Sequence, residues 1–294
     1  MKAAFRQCRI LKTDIQETTL ALACQAIVDQ ALAQRACASS NLASHPVAAN
    51  MADSISEFLV SKAGKADGLP SGGGFVCLAN VHMLMEAYDS KQFNELLSRA
   101  FMVLADGKPL AVGQKLLGFS HGEQIRGYSL FQALIAVAAE QGLRVGFYGG
   151  QDDTVLRTII TGITAAHPKL QVCYQYAPPY RPLTADEDFE QQQRIAEARL
   201  DLLFVGLGCP KQELWMDQHP DITAVQIGVG AVFDFVAGHK SQAPVWMQDW
   251  GLEWLFRWWQ EPKRLTGRYL RHNPRFIFYF ISQWFQHKMG KSTR

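Results

Sequence analysis

The 294-residue chain lacks a charge imbalance, a disulfide framework and a long apolar run. Its formal net charge of +2 falls short of the basic excess that marks a dedicated nucleic-acid binder. None of its six cysteines forms a Cys-x-x-Cys pair or sits with histidine at metal-ligand spacing. That pattern excludes a zinc finger and leaves reduced thiols of a cytosolic protein as the expectation. No stretch approaches the ~18 uninterrupted apolar residues of a membrane span. The opening "MKAAFRQCRILKTDIQ" has no apolar core, so no secretory leader is expected. Also missing are a Gly-x-Gly-x-x-Gly fingerprint with its ribose carboxylate and a Walker loop, which counts against a nicotinamide-dependent oxidoreductase. No Asp-x-Asp pair stands at a strand end, and "QDD" at Gln151–Asp153 reads as a helix cap. Neither an obligatory divalent metal nor a cofactor is expected.

What is present has a rhythm. Residues 1–35 read as a short strand, "CRIL", and an amphipathic helix, "TLALACQAIVDQALAQ". Residues 36–74 turn to Ala, Ser, Asn and Gly and read as a poorly ordered insertion, with a short helix near "SISEFLVSKA". From Phe75 to Ala243, short apolar runs ("FVCLAN", "MVLAD", "LRVGFYGG", "LQVCYQY", "DLLFVGLG", "ITAVQIGVG") alternate with helical periodicity. This alternation predicts an α/β fold: a doubly wound, mostly parallel, Rossmann-like sheet with flanking helices. Such sheets bind ligands at the carboxyl ends of their strands. The residues that follow each run are therefore the candidates: Asn80, Asp106, Gly149 and Gly150, Gly206 and Gly208.

Each candidate has two readings. The glycines of "YGGQDD" and "GLGCPKQE" either let backbone N–H groups approach a phosphate or make plain strand-to-helix turns. Asp106 in "LADGKPL" is either a general base facing a pocket or the cap of the helix around Pro109. Pro210 suits a first helical turn. Lys211, Gln212 and Glu213 then either meet phosphate and sugar or are ordinary helix-start residues, with Glu213 capping the helix or holding Lys211. Asp234, between Phe233 and Phe235, either faces the pocket or is satisfied by backbone donors. His82 is either a ligand or, as a lone histidine more often is, a polar packing residue.

Residues 244–294 form a helical appendage of unusual composition. Six of the seven tryptophans lie between Trp246 and Trp284, and from Arg257 onward nine Lys/Arg face one acid, Glu261. Three short helices broken at Pro262 and Pro274 are expected. Phe276, Ile277, Phe280, Ile281, Trp284 and Phe285 fall on one stripe of the last. Nucleic acid, a membrane surface, and the chain's own core or a self-interface (a homo-oligomer) compete as its target.

These blocks together resemble the WecG/TagA/CpsF family of bacterial glycosyltransferases. The carriers are "LADGKPL", "RGYSLFQAL", "GFYGG", "PPYRPL", "DLLFVGLGCPKQE", "GVGAVFDFVAGHKSQAP" and "GLEWLFRWWQEPKRLTGRYL", from about Phe75 to Tyr269. The resemblance implies inverting, metal-independent transfer from a UDP-sugar, of N-acetylmannosamine or glucose type, to a lipid-linked saccharide. The reaction belongs to cell-surface or exopolysaccharide synthesis at the inner face of the cytoplasmic membrane. It implies Asp106 as general base, Gln212 and Asn80 as sugar contacts, Arg126 as a phosphate contact and Asp234 as a donor-site residue. Arg257, Arg264, Arg268, Arg271 and Trp284 would serve the acceptor or membrane, which then prevails over nucleic acid. Two departures stand out: Leu78 replaces a threonine common in the family, and Tyr128–Ser129 replace Ser–Asp. Leu78 keeps an alternative open, a catalytically inactive nucleotide-sugar-binding scaffold of a polysaccharide-assembly complex.

Overall fold

The computed structural model describes residues 5–44 and 72–292. The helix expected near "SISEFLVSKA" lies outside them. Eight strands and twelve helices are defined among the described residues. The first strands, β1 (Gln7–Ile10) and β2 (Thr13–Gln16), pair as an antiparallel hairpin, so the single strand expected at "CRIL" is half of a pair. Helix α1 (Leu20–Ser44) runs well past the expected end of its pattern and through "ACASSNLAS". Alanine-rich sequence is good helix material, and composition alone misplaced the boundary of the insertion.

Six strands build one parallel sheet in the order β4 (Met102–Ala105), β3 (Phe75–Ala79), β8 (Val225–Gly228), β7 (Leu202–Gly206), β5 (Arg144–Gly149) and β6 (Gln171–Tyr176). All five pairings are parallel, as the strand–helix alternation predicted. Side chains alternate between two apolar layers. On one face, Cys77, Val103, Leu203 and Val205 meet α2 (Val81–Asp89), α3 (Lys91–Arg99) and α8 (Lys211–Gln218). On the other, Val76, Leu104, Phe147, Phe204 and Ile227 meet α1, α5 (Gly127–Gln141) and α6 (Asp153–Ala166). Burial on both faces is why five of these strands read as continuous apolar runs; the edge strand β6 is largely exposed and alternates.

Two expected phosphate-binding glycines have packing roles instead. A Cβ on Gly206 would sit 2.4 Å from Phe233 Cδ2, and one on Gly149 would sit 2.6 Å from the Gly206 carbonyl oxygen. Phe233 lies in α9 (Val232–Val236) and contacts Phe131 and Phe147 edge-on or tilted. The missing side chains let a ring lie on the strand end.

The C-terminal part differs most from expectation. After α10 (Val245–Asp249) and α11 (Glu253–Gln260), one helix, α12, runs from Pro262 to Ser292 with Pro274 inside it. The break at Pro262 holds; the break at Pro274 does not. A mid-helix proline removes one backbone bond, but the turns around it are docked. Phe276 and Phe280 are buried in the core, and Arg275 makes a bidentate pair with Asp89 at 2.6 and 2.9 Å. Tyr279 stacks on Tyr88, and Gln283 bonds the backbone of Arg9 and Leu11. The expected stripe therefore splits. Phe276 and Phe280 face inward and Trp284 is half-buried against the core, whereas Ile277, Ile281 and Phe285 stay exposed. Trp284 is thus a docking residue rather than a free membrane anchor.

Candidate active site

A cleft of about 670 Å³ opens at the carboxyl ends of β4, β3, β8 and β7 and is roofed by α11 and α12. Its size suits a ligand larger than a simple sugar. Asn80, Asp106, Arg126, Gly208, Pro210, Lys211, Gln212, Arg257, Arg264 and Arg268 all contribute to its wall. Gly149, Gly150, Gly206, Asp234, Arg271 and Trp284 do not. Asp234 instead pairs with Lys240 at 2.5 Å, and Lys240 also reaches Glu261 at 3.3 Å. Residues on both sides of the expected boundary at 243/244 line the same cavity, so the C-terminal helices complete the site.

Asp106 follows β4 directly. Its N–H donates to the Ala79 carbonyl at 2.9 Å, which continues the parallel ladder, and its own carbonyl accepts from Gln124 Nε2. The cap of α4 (Lys108–Leu116) is Gly107, with no side-chain bond, so Asp106 does not cap that helix. Its Oδ1 accepts from the Gly127 N–H at 2.9 Å, at the start of α5. Residue 127 has to be small: a Cβ there would be 3.0 Å from Leu78 Cδ1 and 3.3 Å from Val232. Leu78 lines the same cleft as the carboxylate. Burial raises the Asp106 carboxyl to about 6, and Glu253 pushes in the same direction. The Gly127 N–H, Arg257 and Arg126 oppose that rise. A carboxylate tuned toward neutrality and open to a cleft is suited to take a proton.

Two amides sit opposite. Asn80 caps α2 by accepting the Met83 N–H on Oδ1 at 3.2 Å, which leaves its NH₂ for the cleft. Gln212 lies in the first turn of α8, where its Oε1 accepts the Gly208 N–H at 3.1 Å and its Nε2 donates to Glu213 Oε1 at 2.8 Å. These two bonds fix which end of the amide is which, and its second N–H remains to donate. Glu213 is fully buried, with its carboxyl raised by burial to about 7. It does not pair with Lys211; its carboxyl accepts from Gln212 and also meets the Cys209 thiol and its own backbone N–H in the first turn of α8. Sequence reasoning passed over this positioning role, although a buried carboxylate directly after a functional amide was the available signal.

The cleft is electropositive. Six cations line it (Lys108, Arg126, Lys211, Arg257, Arg264, Arg268) against two acids, Asp106 and Glu253. Arg126 Nε lies 3.6 Å from Glu253 and has no hydrogen-bond partner. Arg264 is paired with Glu261. Among the described residues neither Arg257 nor Arg268 has a carboxylate partner; Arg257 lies over the Phe235 ring at 5.3 Å. Burial lowers the Arg268 pKa, and the neighbouring Arg264 and Arg257 lower it further. Partly desolvated cations in excess over their counter-charges make a site for a polyanion. The opposite rim of the sheet contrasts with this. There, buried Asp201 is saturated by Arg144 through 2.7, 2.9 and 3.1 Å bonds, a structural clasp.

Comparison with known proteins supplies the chain's relatives. The chain is 30% identical over 194 residues to an N-acetylglucosaminyldiphosphoundecaprenol N-acetyl-beta-D-mannosaminyltransferase of Bacillus spizizenii (strain ATCC 23059 / NRRL B-14472 / W23), covering 65% of this chain and 73% of that one. It is 29% identical over 190 residues to the protein of the same description from Bacillus subtilis (strain 168), covering 63% and 71%. A sequence model described as the Glycosyl transferase WecG/TagA/CpsF family matches residues 40–290, a span that extends beyond the motif blocks at both ends and takes in the C-terminal helices. With most of its length matched, the chain belongs to the WecG/TagA/CpsF family of glycosyltransferases.

Proposed function

We propose that the chain transfers a sugar, with inversion, from a UDP-sugar of N-acetylmannosamine or glucose type to a lipid-linked saccharide in cell-surface or exopolysaccharide synthesis. One observation carries this reading. Asp106 and Gln212, from opposite sides of a four-strand rim, share a cleft wall with two arginines that lack carboxylate partners. The names of the Bacillus relatives, which specify a diphosphoundecaprenol-linked acceptor and an N-acetylmannosaminyl group, support the substrate class.

In this scheme the acceptor hydroxyl oxygen attacks the anomeric carbon from the face opposite the diphosphate. Asp106 takes the hydroxyl proton as the new C–O bond forms. The bond from the anomeric carbon to the diphosphate oxygen breaks, and UDP departs with the electron pair. Arg257, Arg264, Arg268, Arg126 and Lys211 neutralise the developing charge, the work a bound Mg²⁺ does in other transferases. Asn80 and the free N–H of Gln212 hold the sugar. With base, amide and cations in one cleft, nothing favours the inactive-scaffold alternative.

The acceptor's lipid places the reaction at a bilayer. No helix among the described residues is long and apolar enough to cross a membrane. An exposed aromatic surface is available instead on α10, α11 and the segment between them: Trp246, Trp250 and Trp259 are 60%, 80% and 83% exposed. Tryptophan beside basic residues suits the headgroup boundary of an anionic membrane, and we assign the protein a peripheral position on its cytoplasmic face. The test is UDP release from a panel of UDP-sugars with an N-acetylglucosaminyl-diphosphoprenol acceptor. Acceptor-dependent release with an inverted product, not increased by added Mg²⁺, is expected. Release that requires Mg²⁺, or none with any donor, would overturn the reading.

A further inference from the structure

Beside the cleft, α2 and α12 bring together His82, Glu86 and His272. The first two are one turn apart on α2, and the third comes from α12. Glu86 Oε1 lies 3.7 Å from His82 Nδ1 and 3.6 Å from His272 Nε2, just outside hydrogen-bond reach of both. One donor atom from each residue falls within 4.8 Å of the others. A tetrahedral ion with ~2.0–2.1 Å bonds sets its ligand atoms about 3.4 Å apart, so the two Glu86 separations need to shrink by only a few tenths of an ångström, and the two imidazoles close the rest by rotating toward the ion.

The donors are also poorly satisfied within the protein. His82 Nδ1 is buried and has no hydrogen-bond partner. The His272 side chain is only 5% exposed, and its Nδ1 too has no partner. As purely structural residues, these would be two neutral rings and a carboxylate that fail to satisfy one another.

We propose that His82, Glu86 and His272 bind one divalent transition-metal ion of the zinc class, with a fourth position open to the cleft that His82 and His272 both line. Two imidazoles and a carboxylate suit zinc, cobalt or nickel better than Mg²⁺ or Ca²⁺. The ion ties α12, which carries Arg264 and Arg268, to α2. Its role is to hold the roof of the cleft, and it stands apart from the diphosphate grip. Arg268 and Arg271 oppose a dication here, while Asp89 neutralises Arg275. The site does not depend on which sugar is transferred.

The full chain, stripped with chelator, would be titrated with Co²⁺ and followed by visible absorption, metal stoichiometry and thermal unfolding. One equivalent with tetrahedral d–d bands, displaced by Zn²⁺ and raising Tm, is expected. Glu86→Gln, at a partly exposed position, and His272→Ala should each weaken binding by ~10-fold or more. No bound ion at micromolar metal would overturn the proposal. So would undiminished binding by both variants, which would place the ion on cysteine thiols instead.

Discussion

Replacing Arg268 by methionine should weaken UDP binding without weakening the fold. The guanidinium is half-buried, crowded by Arg264 and Arg257, and without a carboxylate partner among the described residues. In the unliganded protein it contributes repulsion and a desolvation cost, so its loss should leave Tm unchanged or raise it. With ligand, a charge-assisted contact to phosphate contributes about 1.5–3 kcal/mol. That corresponds to a rise of roughly 10- to 150-fold in the UDP dissociation constant. Methionine retains much of the packing volume, so the two effects separate. Calorimetric titration with UDP, paired with thermal unfolding of the free protein, reads both. If Arg268→Met lowers the Tm of the free protein and leaves UDP affinity intact, the arginine is a structural residue and the polyanion site is misassigned.

Further consequences follow from Glu213 and the aromatic surface. Burial raises the Glu213 carboxyl from 4.5 to about 7, so its ionised form is disfavoured in the fold. The penalty is absent below pH 4.5, grows as pH rises toward 7 and is constant above that. Glu213→Gln removes it, so the Tm advantage of the variant over wild type should grow between pH 4.5 and 7 in a pH-resolved thermal scan; a constant difference would contradict the assignment. Changing Trp246, Trp250 and Trp259 together to serine should reduce co-sedimentation with anionic vesicles while leaving UDP affinity within about twofold. Unchanged sedimentation, or a dimer converted to monomer, would make that surface a self-interface.

The parallel sheet was legible because five of its six strands are short apolar runs closed by Gly, Asn or Asp; the edge strand β6, QVCYQY, is the exception. The same punctuation located Asn80, Asp106 and Gln212, since parallel sheets deliver strand-end residues to one rim. Glycines were less informative. A missing Cβ reads the same whether it admits a phosphate or a ring, and at Gly149 and Gly206 it admits a neighbouring backbone and Phe233. Pro274 predicted a break by local rules, but burial of Phe276 and Phe280 on the next turns outweighs one lost backbone bond. The tail arginines were legible as a basic cluster for acceptor or membrane, but their position was not, because only the docking of α12 brings Arg264 and Arg268 to the cleft. His82 and His272 lie far apart in the chain, and no local pattern joins them.

Removal of the Asp106 carboxylate tests the central claim most directly. Acceptor-dependent UDP release by Asp106→Asn should fall by ~10²- to 10⁴-fold with UDP affinity retained. Wild-type kcat/KM should rise with unit slope through about pH 6, where that carboxyl ionises. Turnover within a few-fold of wild type in the variant, or a flat profile from about pH 5 to 8, would contradict a reaction that begins with proton transfer to Asp106.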